Sequence, residues 1–199
     1  MGNLLSSVRQ NDEQRVQSSH PYYLTRKERR LLCEYWPIML RMHPEIFTSI
    51  WLKAVERSPS IAATFGIAEG SDPKENASFL RLTMAVEAFF HRLIVTNQLQ
   101  EEELRAACVE LGSRHLFYTA RGFQTAYWDI FMVCLVDTLS TRQLGTKANN
   151  HLLLIHAWQK FVHTVVEYMR EGYKQEQKKK RNKPHTPRDS PKKTQDMIE

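Results

Sequence analysis

The sequence predicts an all-α protein of seven to eight helices. Apolar residues recur every three or four positions in most segments between residues 25 and 173. Residues that open and close helices punctuate those segments, and no apolar–polar alternation bounded by turn residues interrupts them. With 199 residues, 10% aromatic and four Trp, the chain is long enough and apolar enough to bury one core.

Taken in order, residues 1–24 are polar and aperiodic and read as a flexible arm. Thr25 followed by Glu28 is a capping box opening the first helix, which carries Leu31, Leu32, Tyr35 and Trp36 and which Pro37 is expected to kink or divide. Residues 44–56 give the second helix, with Ile46, Phe47, Ile50, Trp51 and Ala54 on one side. Ser58-Pro59 starts a short third helix ending at Phe65-Gly66. After a polar loop, Asp72, Pro73 and Glu75 supply the cap, first-turn proline and acidic first turn of a long helix bearing Phe79, Leu82, Val86, Phe89, Phe90 and Leu93. A helix from about Glu101 carries Leu104, Cys108 and Leu111 before Gly112 is expected to end or bend it. Residues 123–139 are almost continuously apolar, a helix buried on most faces. The last helix, residues 149–173, lines up Leu152, Ile155, Trp158, Phe161, Val162, Val165 and Met169. This reading divides the chain into an arm (1–24), a helical domain (25–173) and a disordered basic tail (174–199).

Charge follows that division. The whole chain carries +6, but residues 174–199 hold nine Lys/Arg against four Asp/Glu, leaving the rest at only +1. A uniformly basic nucleic-acid-binding domain is disfavoured, and no nucleic-acid partner is expected. Three scattered cysteines show no zinc-type spacing and no disulfide framework, and with no signal peptide the expected compartment is reducing and cytosolic. No catalytic triad, carboxylate pair or Gly-rich phosphate loop is present, so an enzyme is not expected.

Of eight histidines, His115 has the informative setting, LGSRH at the end of a helix. That segment resembles the one in which a globin histidine binds haem iron. Trp36 resembles the tryptophan of the first globin helix, Pro59 the proline opening the third, and Phe65 the phenylalanine packed on the haem face. The intervals of 29 residues from Trp36 to Phe65 and 50 from Phe65 to His115 equal those of a vertebrate member. Trp158 and the MREGY ending resemble nematode and neuroglobin-like members. The resemblance covers residues 25–173 and implies a globin fold around a haem b pocket, with His115 as proximal axial ligand and Trp51, Phe65, Leu82, Val86 and Leu111 as further haem-binding residues. It implies oxygen or another diatomic gas as ligand, or gas sensing or one-electron transfer.

The distal side departs from the family pattern. Leu82, Val86 or Ser78 takes the position that most oxygen-binding globins give to histidine or glutamine. A pocket of Leu82, Val86 and Trp51 is expected to lack a donor for bound oxygen. His91, nine residues beyond Leu82, is half a turn out of phase and should face away from haem unless the helix is distorted. The contrasting reading is a haem-less adaptor with a globin fold. Peroxidase-like or nitric-oxide-dioxygenase turnover would need an external reductase.

Met1-Gly2-Asn3-Leu4-Leu5-Ser6 fits the N-myristoylation pattern at Gly2. One myristoyl chain binds membranes only marginally, and the run at residues 178–183 offers the second, polybasic signal. The expected location is therefore the cytoplasmic side of an anionic membrane, held peripherally. Thr186-Pro187 and Ser190-Pro191 are candidate phosphorylation sites that would weaken that attraction.

Overall fold

The structure, a computed structural model, describes residues 23–182. Gly2, the two phosphorylation candidates and the basic residues beyond 182 lie outside them. Seven α-helices follow in order: α1 Arg26–Met42, α2 Ile46–Arg57, α3 Pro59–Thr64, α4 Ala77–His91, α5 Glu101–His115, α6 Ala126–Ser140 and α7 Ala148–Arg181. No strand occurs among the described residues. α5 packs mainly on α7, α6 on α2, and α4 on α2, so α4 and α5 are held by different partners.

The capping box forms as read: Glu28 N donates to Thr25 Oγ1 at 3.2 Å, and Thr25 N donates to Glu28 Oε2 at 2.8 Å. Glu28 also anchors the start of α1 to α7. Its side chain is only 5% exposed and takes the Lys160 ammonium at 2.9 Å, with His156 Nδ1 at 3.4 Å. Burial pushes the Glu28 carboxyl up, but the bonds from Lys160 and Thr25 together outweigh it and hold it below the ordinary value. A lowered carboxyl stabilises the fold above its unfolded-state pKa, and that stability drains as pH falls through the folded value. Glu28→Gln should therefore cost about 2 kcal/mol at pH 7. Thermal unfolding from neutral to acid pH should show the variant and the parent converging as the solution acidifies.

Several boundaries differ from the sequence reading, each for a physical reason. Pro37 neither divides nor ends α1, which runs unbroken from Arg26 to Met42. Asp72, Pro73 and Glu75 form a separate 3-10 turn, and the cap of α4 is Asn76, whose side chain accepts from Ser78 N and Phe79 N. The Asn76 amide also donates to Phe65 O at 3.3 Å, fixing the start of α4 to the end of α3. α4 is followed by a π-turn, Arg92–Thr96, after which Gln98 and Leu99 adopt left-handed backbone (φ 48° and 55°). That conformation accompanies full burial of Leu99. α6 starts at Ala126 rather than at 123.

Gly112 does not end its helix. α5 continues to His115, and Gly112 sits where α7 crosses: a Cβ there would lie 1.9 Å from Met169 O. Gly172 of α7 has the reciprocal role, its would-be Cβ 1.9 Å from Val109 O. The two helices thus touch backbone to backbone. α7 then continues past 173 to Arg181, so residues 174–181 of the expected tail are helical. Lys, Gln and Glu favour helix there, and Lys179 pairs with Glu176 at 3.7 Å.

The core is centred on a ring cluster from four helices. Trp36 contacts Phe47 and Trp158, and Phe90 contacts Trp158 and Phe161, with centroids 5.5–6.0 Å apart. Among the described residues no helix is long and apolar enough to cross a membrane.

Candidate functional site

Beside this core the helices leave a cavity of about 790 Å³. The volume falls in the range of pockets that hold a cofactor-sized ligand. Every site residue read from the sequence that lies among the described residues lines it: Trp51 from α2, Phe65 after α3, Leu82 and Val86 from α4, Leu111 and His115 from α5. Ser78 lines it too. Ser78, Leu82 and Val86 are four apart, so α4 presents all three along one face.

His115 is built by the end of α5. Its Nδ1 lies 2.8 Å from Leu111 O, one helical turn back. A carbonyl can only accept, so Nδ1 carries the proton and Nε2 keeps its lone pair. The ring is boxed by Phe123, Trp128 and Tyr118, at centroid distances of 4.9, 5.3 and 5.5 Å. Burial pushes the imidazole pKa down, only partly offset by the Leu111 bond, and this favours the neutral form a metal needs.

On α2, the Trp51 ring stacks obliquely on Phe131 at 5.0 Å. Trp51 Nε1 is buried and has no hydrogen-bond partner, and the same holds for Trp128 Nε1. Both indoles line the cavity. Unpaired buried N–H groups are uncommon, and neither of these nitrogens is itself accessible from the cavity that the two residues line.

His91 is outside the cavity wall. The Trp36 indole donates to its Nδ1 at 3.1 Å, and the two rings pack with centroids 6.1 Å apart, turning His91 toward α1. Half a turn of helical phase separates it from Leu82, which accounts for the placement.

Sequence reasoning did not reach the rim. Arg81, Arg92, Arg114 and Arg121 all line the cavity, making its edge basic although the interior is apolar. Arg114 pairs with Glu110, and Arg81 donates to Ser78 Oγ at 3.0 Å. The adjacency of Arg114 to His115 was the available signal. The aromatic box was hidden because residues 123–139 read as apolar on most faces, with no single face assignable.

A family model described as Globin matches residues 48–169. The curated Globin-related protein glb-13 of Caenorhabditis elegans is 25% identical over 173 residues, covering 83% of this chain and 58% of that relative. The chain therefore spans less than two thirds of the length of the relative it matches. Among solved structures, a hexacoordinated heme protein from an anhydrobiotic tardigrade, determined at pH 4, superposes with a TM-score of 0.63. It is 20% identical, and the match covers 77% of this chain and 97% of that one. At that identity the likeness speaks for the fold.

Proposed function

Because this chain belongs to the globin family, we propose that its cavity holds haem b and binds a diatomic gas, oxygen first among them. The observation that carries the proposal is His115: its Nδ1 is tied to Leu111 O at 2.8 Å while its ring lines a cavity of about 790 Å³. When bound, haem supplies an iron able to take an axial imidazole and a gas ligand. His115 would hold that iron through Nε2, and the Leu111 carbonyl would fix the tautomer and orientation of the ring. Phe65, Leu82, Val86 and Leu111 would exclude water, and Arg81, Arg114 and Arg121 would meet the carboxylates of the group at the rim.

Leu82, Val86 and Trp51 offer a polar ligand no accessible donor. Leu82→Gln, which adds a donor, should leave carbon monoxide binding nearly unchanged and slow oxygen dissociation by about tenfold, the worth of one hydrogen bond. Stopped-flow ligand displacement reads both rates.

The chain is read as a binder used for sensing or one-electron exchange rather than as an enzyme. Turnover would draw on an external reductase. The myristoylation-type pattern at Gly2, with the basic run from Lys178, supports placement at the cytoplasmic face of an anionic membrane. An optical spectrum of the ferric, ferrous and carbon monoxide forms tests the haem reading. A blue-region band that moves with carbon monoxide is expected. Failure of the reconstituted protein to show one would overturn the reading and leave a haem-less adaptor.

A further inference from the structure

The helical extension of α7 brings together two features that lie sixty residues apart. Lys178, Lys179, Lys180 and Arg181 form its last turn, and Lys180 Nζ lies 4.2 Å from the centroid of the Phe117 ring. Phe117 belongs to the 3-10 segment Leu116–Arg121 that follows His115, and it is 59% exposed; its neighbour Tyr118 is 43% exposed. Arg114 and Arg121, both exposed, continue the positive charge to the rim of the cavity. Glu110 offsets Arg114 and Glu176 offsets Lys179, so the net positive charge of this face is carried by Lys178, Lys180, Arg181 and Arg121.

We propose that this face, Phe117 and Tyr118 flanked by the Lys178–Arg181 turn, is the surface with which the protein docks on an anionic membrane, turning the cavity mouth toward the lipid. The inference deepens the membrane reading above and rests on it. Charge complementarity selects an anionic occupant. The rings select a lipid surface: aromatic side chains among lysines suit the headgroup layer, where the ring is shielded and the ammonium stays wet. A single-stranded nucleic acid would also stack on the rings, but it needs a basic groove along its backbone, and the domain outside the tail is almost neutral. One acyl chain alone binds marginally, so a second contact by the folded domain changes both affinity and orientation. The orientation has a consequence for the site, because apolar gases concentrate in hydrocarbon and would meet the cavity from that side.

The test uses the full chain, unacylated, with vesicles of phosphatidylcholine made with or without phosphatidylserine. Binding is read by sedimentation and orientation by amide hydrogen exchange. Binding is expected only with phosphatidylserine, with added protection at residues 116–121 and 174–181 and none at 130–136 or 150–156. Phe117→Ser, and separately Lys178→Glu with Lys180→Glu, should each weaken binding about tenfold or more. Thermal unfolding of each variant checks that the fold is kept.

Binding without protection at 116–121 would show that charge beyond residue 182 suffices, overturning the face while sparing the tether. Binding seen only after acylation, and lost with Gly2→Ala, would do the same. Absence of binding in both acylated and unacylated forms would overturn face and tether together. Indifference to phosphatidylserine alongside salt-reversible binding to polyglutamate would identify an acidic protein surface, and the proposal would fall.

Discussion

His115→Gly is expected to weaken haem retention by roughly 100-fold or more, because loss of even an outer-shell partner of a ligating histidine costs 10–100-fold. The purified variant should lose the five- or six-coordinate spectrum of the parent. Free imidazole should restore it, since the substitution leaves a ring-sized space bounded by Phe123, Trp128 and Tyr118. Rescue separates ligation from mere packing: a histidine that only filled the wall would be replaced as well by benzene-sized apolar molecules. If imidazole fails to restore the spectrum while the variant stays folded, His115 is not the axial ligand. The reading depends on geometry that a short segment supplies by itself. Leu111 is one turn before His115, so the helix brings its carbonyl within reach of the imidazole, and the rotamer adopted sets Nδ1 2.8 Å from it.

That local determination explains which parts of the site were legible in the sequence. Ser78, Leu82 and Val86 are related by helical spacing alone, and Phe65 and His115 by intervals that the fold preserves, so one register places them all. The capping box at Thr25 and Glu28 was legible because both partners lie within one turn. What escaped depends on contacts between segments far apart in the chain. The arginines of the rim come from α4, the π-turn after it, α5 and the 3-10 segment after that, and converge only when the helices pack. The Trp51 indole read as apolar bulk, and its unpaired N–H becomes visible only when every neighbour is known to offer no acceptor. The end of α7 shows the same limit, since a basic run is compatible with coil or helix until a neighbour such as Phe117 is in place. Gly112 shows it most clearly. By local rules glycine closes a helix, and here it serves a partner sixty residues away.

Gly112→Ala and Gly172→Ala are therefore expected to destabilise the fold strongly, against the local trend. In an isolated helix each change would stabilise by about 1 kcal/mol. At this crossing the new methyl carbons would lie 1.9 Å from Met169 O and Val109 O, which are backbone atoms and cannot swing aside. α5 and α7 must then separate, and overpacking of that kind costs about 3 kcal/mol, so the contact outweighs the propensity. The net loss of about 2 kcal/mol should appear as a fall of roughly 4–8 °C in the thermal midpoint for a domain of this size. The double variant should cost less than the sum, because one separation relieves both collisions. The two single variants should differ at the site. The collision at Gly112 falls three residues before His115 on α5, whereas Gly172 meets α5 at Val109, six residues before it, so the first displaces the imidazole more. Ligand-binding spectra at a temperature where both variants are folded should therefore be altered more in Gly112→Ala. Equal midpoints for parent and variants would show that α5 and α7 do not meet backbone to backbone, and would remove the support that positions His115.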